Sequence, residues 1–582
     1  MTAGFSRAYT GNYHQLKAAG LNIATLPRTA LSVLCLALCA PHVYAQAVPT
    51  PGVIEEQFRQ PPLQAPTQAP EPTVTTVQPP SPVPAGGRKV RIDRFEISGN
   101  TSIDTEELRA IIAEREGQEL TLLEIYDLAD ALTAHYRRQG YSLAAAVVPA
   151  QKISTGTVRI EIIEGRLGKI IPEGNQRYRD GFLRWQMSDL ETGSSLRTPD
   201  LDREMLLMNE LPGLQARAVM QPGDEFGTSD LVLQTEERVA EGGLQLNSYG
   251  RDSVGLWRLQ ADAALNGLLG VGDRFDFAAL YSEANLMQFG RMGYSMPITN
   301  KGTRAAVYYQ RYGYTVDTKS LGAGLAGLDI SGEGEGYGVG FLHPVLRTKA
   351  HSVFLGANYE RTFTRQDEDT FGTSGKSHLT LGRFSALYNH SGSDRSFSSA
   401  GVTLSTNFRG GGIEPVVGGG FAAANNRETA KLEFNLSHLR PLWKDLTLLT
   451  RFTGVVSPDP LVDLDQFRLG GPNSVRAYPA GEVGGDEGFF LSAELQHPVS
   501  LVPTLLDQRV KAFLDTGTVY RQQARLLGVR EADSLTGAGV GFSANAYRYF
   551  SIDVLLAHPI GAHSPSDSDS GVRFWTAVNA RF

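Results

Sequence analysis

The chain has 582 residues, a formal net charge of −8 at pH 7 and 63 glycines. This length predicts several domains, and the negative charge, without a Lys/Arg-rich run, excludes a nucleic-acid-binding surface. Glycine makes up about a tenth of the sequence, against an average of roughly 7%. Most of the glycines follow residue 240, between short alternating segments, which is typical of a β domain with many turns.

Residues 1–45 have the features of an export signal. Basic residues precede an apolar run, Ala30–Ala40, and small residues lead to a predicted cleavage site after Ala45. The run is shorter than the roughly 20 apolar residues that cross a bilayer. Both cysteines, Cys35 and Cys39, lie in this segment, so we expect no disulfide in the mature chain. A lipoprotein site at Cys39 is the alternative, disfavoured because a large residue precedes it where a small one is usual.

A short helix and a linker follow. Thr50 and Pro51 form an N-cap and N1 pair, and the sequence predicts a short helix within 46–60 that ends before Pro61. Nine prolines occur in the next segment. We predict that this segment, 61–88, is an extended linker, because a stretch so rich in proline cannot form a packed core.

Two similar α/β segments come next. Residues 89–165 predict the element order β-α-α-β-β, with Thr105 as the cap of the first helix. Thr121 and Glu124 form a capping box at the start of the second helix. Residues 166–237 give a looser copy of the same order. An internal repeat of this kind indicates two related domains in tandem.

The pattern changes after residue 237. Helical spacing disappears, and strand-length segments recur to the C-terminus, with aromatic residues clustered near their ends. In 509–517, alternate positions place Val510, Ala512 and Leu514 on one face and charged residues on the other. An apolar face opposite a charged face is typical of a strand with lipid outside and a wet lumen inside.

We therefore predict a transmembrane β-barrel over residues 238–582. A soluble sandwich is the alternative, but its turn signals come every roughly 8–12 residues. Here they recur about every 20 residues, as membrane strands of roughly 9–11 residues with alternating short and long connections require. About 345 residues at this spacing give roughly 16 strands, an even number as in bacterial barrels. The predicted fold class is mainly β, a C-terminal 16-stranded barrel after two α+β domains.

A long loop at about 457–487 interrupts the strands. It contains Gly470 and Gly471, which make tight turns, and a central cation, Arg476. By itself this arginine would be interpreted as a solvated loop residue. Asp515, however, lies on the charged face of a following strand, so we predict that Arg476 and Asp515 meet in the lumen as a charge-assisted ion pair.

Taken together, these features resemble the outer-membrane transporters of two-partner secretion, the haemolysin secretion/activation or TpsB family. The resemblance covers nearly the whole mature chain and includes the motifs Phe95–Thr101 and Ile160–Gly165 in the first repeat. It implies that 89–165 and 166–237 are periplasmic polypeptide-transport-associated (POTRA) domains. It also implies that the helix in 46–60 plugs the pore, although this helix is shorter than is usual in the family.

The resemblance further implies functional residues in the barrel. The family's loop-six motif corresponds to Gly470, Gly471, Val475, Arg476, Ala477 and Tyr478, and its facing-strand motif to Phe513, Asp515 and Gly517. The family usually has glycine where Ala477 stands. The alternating last strand resembles the recognition signal for barrel assembly, which here would include Phe574 and the terminal Phe582.

The implied function is transport of a large unfolded exoprotein, adhesin- or haemolysin-like with an N-terminal secretion domain, to the cell surface without ATP. The other implied partners are outer-membrane lipid and the barrel-assembly machinery. A barrel-assembly factor is the alternative, but such factors usually carry more POTRA domains and lack the linker. An outer-membrane lipase or protease is a third possibility, but we find no nucleophile, base and orienter set. We expect no cofactor and no metal, since the histidines lack metal-ligand spacing.

Three further segments have suggestive compositions. Gly332–Gly336 and Gly410–Gly412 lack the strand-to-helix context of a phosphate loop, so we predict flexible connections there. Asp567–Gly571 lacks the bidentate glutamate of a calcium loop, and we predict a polar external loop.

Overall fold

The structure is a computed structural model. It describes residues 49–56, 89–153, 156–321, 325–370, 372–409, 428–522, 531–547, 549–567 and 571–582. The predicted export signal (1–45), the linker (61–88) and Gly410–Gly412 lie outside the described residues. Within the described part of the chain, no helix has the length and hydropathy needed to cross a membrane.

The first α/β domain packs two helices on a small sheet. Its elements are β1 (Val90–Ile92), β2 (Arg94–Ser98), α2 (Thr105–Ile112), β3 (Gln118–Leu120), α3 (Leu122–Arg138), β4 (Ala145–Val147) and β5 (Thr157–Ile163), preceded by α1 (Pro51–Glu56). β2 runs parallel to β5, and β4 antiparallel to it. The capping box of Thr121 and Glu124 is present. Asp104, not Thr105, caps α2, because its carboxylate accepts from the Glu106 N–H at 2.8 Å.

A buried carboxylate joins the first α/β domain to the second. Glu164 follows β5 and accepts hydrogen bonds from the backbone N–H groups of Thr101 (2.6 Å) and Ser102 (2.7 Å). The hydroxyls of Tyr136 on α3 and Ser195 of the second domain donate to it, each at 3.0 Å. Burial raises the pKa of the Glu164 carboxyl, but hydrogen bonds from Thr101 and Ser102 outweigh burial and lower this pKa to about 2.

The second α/β domain repeats the order of the first. Its elements are β6 (Arg166–Glu173), α4 (Asp180–Gln186), α5 (Thr198–Asn209), β7 (Leu214–Pro222) and β8 (Thr228–Glu237). β8 is central, parallel to β6 and antiparallel to β7. Fully buried side chains such as Leu183, Met205 and Leu233 form its core between sheet and helices.

Sixteen antiparallel strands close into a barrel in which the last strand lies beside the first. They are β9 (Ala240–Asn247), β10 (Arg258–Asn266), β11 (Arg274–Ser282), β12 (Met287–Pro297), β13 (Arg304–Thr315), β14 (Ile330–Arg347), β15 (His351–Glu368), β16 (Thr373–Ser391), β17 (Phe397–Arg409), β18 (Thr429–Trp443), β19 (Leu446–Val456), β22 (Glu487–Pro498), β23 (Leu506–Tyr520), β24 (Ala532–Ala546), β25 (Phe550–Pro559) and β26 (Arg573–Arg581). The short strands β20 (Phe467–Leu469) and β21 (Val483–Gly485) form a separate hairpin. The predicted fold class is confirmed.

The barrel strands have an apolar outer face and a polar inner face. On β23, Leu514 is 51% exposed on the outside, whereas Asp515 is fully buried on the inside. The same alternation places Leu491 and Leu495 outward on β22, with Ser492 and Glu494 inward. A continuous apolar outer surface of this kind requires lipid around it.

The glycine-rich segment Gly332–Gly336 lies inside β14, so the prediction of a flexible connection was wrong. Tyrosine rings of the neighbouring β13 cover its glycines. A Cβ on Gly332 would stand 2.5 Å from the Tyr314 hydroxyl oxygen, and one on Gly334 would stand 2.5 Å from that of Tyr312. Glycine is therefore needed at these positions because an aromatic side chain occupies the space above each one.

The second α/β domain contacts one end of the barrel. Arg347 at the end of β14 forms an ion pair with Glu210, which follows α5, and both side chains are about nine-tenths buried. In the turn between β12 and β13, the side-chain amide of Asn300 donates to Ser188 (2.9 Å) and Asp189 (2.6 Å). These contacts fix α4 and α5 against the barrel turns on this side.

Arginine in place of Leu514 should lower the stability of the barrel by about 2–4 kcal/mol, because a charge on the outer face near the bilayer midplane is poorly solvated. Lys511→Gln is the matched control on the same strand: Lys511 faces the lumen, where its Nζ lies 2.5 Å from Asp553, and glutamine can still donate there. The band shift between heated and unheated samples in gel electrophoresis measures the folded fraction. Equal losses in the two variants would contradict the assignment of faces.

Glu164→Gln should destabilise the tandem α/β domains by about 1–3 kcal/mol at neutral pH, because a buried amide leaves donors of the carboxylate unsatisfied. The folded-state pKa of Glu164 is lowered from 4.5 to about 2, so the stability gained from ionisation is complete above 4.5 and is lost as pH falls towards 2. Urea titration of the full chain measures this through Trp185, the one tryptophan outside the barrel. If the difference in unfolding free energy between wild type and variant does not shrink across this acidic range, the stabilising role of ionised Glu164 is refuted.

Candidate functional site

Loop six connects β19 to β22 and folds back into the lumen. Its hairpin of β20 and β21 ends in a turn, residues 470–482, which we call the tip. Gly470 and Gly471 begin the tip with φ of 104° and 103°, values that only glycine adopts without strain. The Gly471 N–H donates to the Tyr478 carbonyl at 2.9 Å, so the tip is an ordered turn.

Arg476 lies in the tip and is 3% exposed. Its Nε and Nη2 donate to the two carboxylate oxygens of Asp515, each at 2.8 Å. Its backbone N–H donates to the same carboxylate at 3.1 Å. The structure thus brings the two residues singled out in the sequence together in the lumen. This bidentate contact uses the planar fork of arginine, which lysine lacks.

A second carboxylate, which sequence reasoning missed, also contacts Arg476. Glu494 on β22 accepts a hydrogen bond from Nη1, and Ser492 on the same strand accepts one from Nη2 at 3.2 Å. Both acceptors are 5% exposed or less. The alternation of polar residues with leucines along β22 could have placed Glu494 on the inner face of the barrel. It could not show which part of loop six that face contacts.

Two aromatic side chains complete the surroundings of Arg476. Its guanidinium carbon lies 3.5 Å from the ring centroid of Phe513, a cation–π contact. The indole N–H of Trp575 on β26 donates to the Arg476 carbonyl at 2.7 Å. Trp575, which sequence reasoning also missed, is fully buried. The tip is therefore attached to the last strand of the barrel as well as to β22 and β23.

Three glycines in the wall make room for loop six. A Cβ on Gly537 of β24 would collide with the methyl group of Ala477, and one on Gly539 would stand 2.5 Å from Phe513 Cζ. A Cβ on Gly517 would lie 2.8 Å from the side chain of Leu469. Of the three, the sequence indicated only Gly517. The barrel wall therefore has no side chains at the positions where Ala477, Phe513 and Leu469 pack against it.

The remaining motif residues form a small apolar core within the lumen. Val475, Ala477 and Tyr478 are each 1% exposed or less, and they pack with barrel side chains that include Leu535. The Tyr478 hydroxyl donates to the backbone carbonyl of His563 at 3.2 Å. This core keeps water away from the Arg476 ion pairs, which strengthens them.

The helix α1 also lies inside the barrel. The Thr50 hydroxyl donates to one oxygen of Asp463 in loop six at 2.8 Å, and the Gly52 N–H donates to the other at 2.7 Å. Ile54 is fully buried in an apolar cluster of inward side chains that includes Leu280, Met287, Phe289, Tyr312 and Tyr314. Within the predicted helical segment 46–60, the described helix spans Pro51–Glu56.

The two aromatics proposed as an assembly signal lie at the last strand. Phe574 is 51% exposed on the outer face of β26, and Phe582 directly follows that strand and is 72% exposed. The backbone of Phe582 exchanges two hydrogen bonds with Gly242, at 2.9 and 3.0 Å. Both rings are therefore accessible from outside the barrel.

This site can bind and position a loop through one guanidinium held between two carboxylates. Within the described residues, no group of three or more His, Cys, Asp or Glu side chains is arranged to hold a metal ion. The arrangement of Arg476, Asp515 and Glu494 is that of a buried ion-pair anchor for a loop.

Two family models and several known transporters match this chain. The family model of the haemolysin secretion/activation proteins ShlB/FhaC/HecB matches residues 227–544, more than half of the chain, and the ShlB-type POTRA model matches residues 90–165. The heme/hemopexin transporter protein HuxB of Haemophilus influenzae (strain 86-028NP) is 25% identical over 506 residues, covering 83% of this chain and 85% of HuxB. The outer membrane transporter CdiB of Escherichia coli O6:K15:H31 is 25% identical over 492 residues, covering 80% and 79%.

Solved structures share the fold. CdiB from Escherichia coli superposes with a TM-score of 0.66 at 22% identity, covering 88% of this chain and 94% of CdiB. BamA from Haemophilus ducreyi lacking POTRA domains 1–3 gives a TM-score of 0.54 at 15% identity, covering 85% and 100%. The chain therefore belongs to the ShlB/FhaC/HecB family of haemolysin secretion/activation proteins, outer-membrane transporters of two-partner secretion whose POTRA domains are periplasmic.

Proposed function

We propose that this protein carries one large unfolded exoprotein from the periplasm through its barrel to the cell surface. The proposal rests on the elements that occupy the lumen. Neither α1 nor the hairpin of β20 and β21 belongs to the closed barrel sheet, and both are attached to it by side-chain contacts. Elements attached in this way can move aside without separating barrel strands, which a polypeptide path through the lumen requires.

The POTRA domains are proposed to bind the secretion domain of the exoprotein. The support is their sheet topology: β7 is an edge strand of the second domain and has nine residues, whereas the edge strand β4 of the first has three. An extended segment can add to a sheet edge through main-chain hydrogen bonds, and a longer edge gives more of them. We therefore favour β7, Leu214–Pro222, as the docking edge.

Energy for export is proposed to come from the exoprotein itself. A chain that folds after it leaves the barrel cannot return through the lumen, so folding outside makes each step irreversible. This requires no nucleotide, in keeping with the absence of ATP from the periplasm. Assembly of other barrel proteins is the second candidate function, supported by the shared fold with BamA alone.

A comparison of secreted proteins from cells with and without this gene tests the proposed function. The expected result is the loss of one large polypeptide from the cell surface and medium, restored by the full chain but not by a chain lacking residues 89–165. A general loss of outer-membrane barrels instead, with no secreted polypeptide affected, would favour the assembly function and overturn the proposal.

Arg476→Ala should weaken the attachment of loop six by about 3–5 kcal/mol and reduce secretion, because two buried carboxylates lose their partner. Asp515→Ala should cost less, since Glu494 still pairs with the arginine. Lysine at 476 should rescue poorly, because it lacks the planar fork. Secretion yield and protease cleavage within loop six are the measurements.

The control for the Arg476 variants is Arg509→Ala, which removes an exposed arginine from the same strand as Asp515. It should leave secretion and loop-six cleavage unchanged. The Arg476→Ala/Asp515→Ala double variant should be little worse than Arg476→Ala, because contacting residues do not act additively. Fully additive losses, or a harmless Arg476→Ala, would show that this contact does not anchor the loop.

Ile54→Asp should release α1 from the lumen, because an unpaired carboxylate in the apolar cluster around Ile54 is strongly unfavourable. The expected result is a higher resting conductance in planar bilayers with the barrel still folded. Ile560→Asp is the control, since Ile560 follows β25 and is 48% exposed. Unchanged conductance in Ile54→Asp would mean that α1 does not close the pore.

A further inference from the structure

The outer face of β14, β15 and β16 changes from apolar to charged with distance from the POTRA domains. β15 begins at His351, at the barrel end that the second POTRA domain contacts, and its first outward arginine is Arg361. The segment between them has about ten residues, which at roughly 3.3 Å per residue and a tilt of about 40° gives a height of roughly 25 Å. This is the height of the apolar band of an outer-membrane barrel. Arg361 therefore lies at the level of the head groups of the outer leaflet.

A row of aromatic rings crosses three strands at this level. Phe363 on β15 lies between Tyr337 on β14 and His378 on β16, with ring centroids 6.5 Å apart on each side. The guanidinium carbon of Arg361 lies 4.7 Å from the Phe363 ring centroid. Aromatic residues are common at the level of the head groups, and their faces can pack against the C–H groups of a sugar ring.

Two cations lie directly opposite each other on the cell-surface side of this row. Arg365 on β15 and Lys376 on β16 are register partners, and both are exposed. Side chains at opposed positions have Cβ atoms about 5 Å apart, and like charges there destabilise the strand pair. Asp367 pairs with Arg365 at 2.9 Å, so this carboxylate can balance one of the two charges. The pair of cations has room for a further anion.

The acidic residues of the neighbouring β14 already have other partners. Glu333 is the register partner of Arg365 on its other side, but its carboxylate pairs with Arg311 at 3.0 Å. Glu335 accepts a hydrogen bond from the Tyr309 hydroxyl at 3.3 Å. The charges on this side of the surface are therefore paired on β13 and β14, away from Lys376.

Arg361 adds a third cation to the same surface. Its guanidinium lies on a ring rather than on a carboxylate, and the described residues give its Nε no hydrogen-bond partner. On the outer face of β15 and β16, Arg361, Arg365 and Lys376 thus stand against one carboxylate, that of Asp367. This excess of positive charge occurs in a chain whose formal net charge is −8.

The side chains on the POTRA side of the rings are large and apolar. Phe341, Tyr359 and Phe384 point outward and are 45%, 43% and 57% exposed. From the middle of the bilayer outward, the surface therefore presents apolar side chains, then rings, then cations. The glycolipid of the outer leaflet has the matching order of acyl chains, sugars and phosphates. A free phosphate lacks the apolar part, and a glycerophospholipid lacks the sugar rings.

We propose that this surface, which we call the glycolipid site, binds one molecule of the outer-leaflet glycolipid through its phosphorylated sugars. Arg365 and Lys376 hold a phosphate between them, so that two charges that repel each other share one anion. Arg361 adds a third charge, and the Phe363 ring packs against the sugar. This inference concerns the outer surface of the barrel and does not depend on which polypeptide is carried.

Native mass spectrometry of the full mature chain in lipid-free detergent micelles tests the proposal, with diphosphoryl lipid A as the probe. Wild type should retain one lipid A molecule and should bind phosphatidylglycerol more weakly. The triple variant Arg361→Gln/Arg365→Gln/Lys376→Gln should bind lipid A at least about tenfold more weakly, because each cation near an anionic head group adds to the affinity. The band shift on heating in gel electrophoresis confirms that each variant is folded.

The matched control is Arg395→Gln/Arg440→Gln/Lys444→Gln. It also removes two arginines and one lysine, all exposed, from the turn after β16 and from the end of β18 and the turn after it, at the POTRA end of the barrel. Its affinity for lipid A should equal that of wild type. Equal affinity in wild type and the Arg361 triple variant, equal losses in the two triple variants, or phosphatidylglycerol bound as tightly as lipid A would overturn the proposal.

Lys376→Gln alone gives a second test, because it removes one of the two opposed charges. Without lipid A this variant should unfold at a higher temperature than wild type. With lipid A it should lose that advantage, since the phosphate has one cation fewer. A Lys376→Gln barrel that is less stable than wild type in both conditions would contradict the shared-anion arrangement. Because both tests are made without cargo, failure of the transport proposal would leave these results standing.

Discussion

The lumen of this barrel is organised by one buried cation between two carboxylates. Arg476 has nowhere else to satisfy its donors once the tip is seated, and Asp515 and Glu494 are fixed by the ladders of β22 and β23. Burying such charges is costly unless every partner is present. The arrangement therefore favours two conditions, the tip fully seated or fully withdrawn into water, over a partly seated one.

The strength of this anchor depends on the exclusion of water around it. Phe513 covers the guanidinium, and Trp575 and Tyr478 are fully buried beside it. In a water-filled channel these same ion pairs would be weak, since screening reduces each of them several-fold. Anything that wets the site thus loosens the loop, and a passing polypeptide with its hydration shell is one means of doing so. The anchor is strong while water is excluded from it and weaker once the site is wet.

The wall is shaped for this one loop. Gly537, Gly539 and Gly517 remove side chains where Ala477, Phe513 and Leu469 need the space. Larger residues there would push the tip away from Asp515, so the position of the cation is set by sterics as well as by charge. Glycine within a strand lowers the stability of that strand. At these three positions the fit of loop six is therefore gained at the expense of strand stability.

Sequence reasoning reached the fold class because alternation of apolar and polar residues reports directly on which side of a strand meets lipid. It also paired Arg476 with Asp515, since both lie in short, recognisable segments. It missed Glu494 and Trp575 because alternation marks the inner face without saying which inner residues a returning loop will meet.

The glycines of β14 were misinterpreted for a related reason. Gly332 fits within a strand because the ring of Tyr314 on the neighbouring strand occupies the space above it. The sequence around Gly332 contains no information about that neighbour. The cap of α2 was displaced by one residue because Asp104 and Thr105 are both good caps, and only the backbone conformation of Asp104, with ψ of 140°, decides between them.

The start of loop six contacts both α1 and the barrel wall. Near the start of the loop, Asp463 accepts hydrogen bonds from Thr50 and Gly52 of the α1 segment. The neighbouring Asp465 is fixed to the wall by an ion pair with Lys431. This part of the loop therefore has an attachment to the wall that does not involve α1, as the tip has through Asp515 and Trp575.

Without α1, Asp463 would lose two hydrogen bonds and keep its ion pair with Arg468. Gly481, near the end of the tip, would lose the apolar cover that Val53 gives it. Water would then reach the tip from the side where α1 excludes it. Spatial proximity alone does not establish coupling. Loop six supplies the physical element that coupling needs, because its buried charges favour a seated or a withdrawn state, and both α1 and the barrel wall contact it in the seated one.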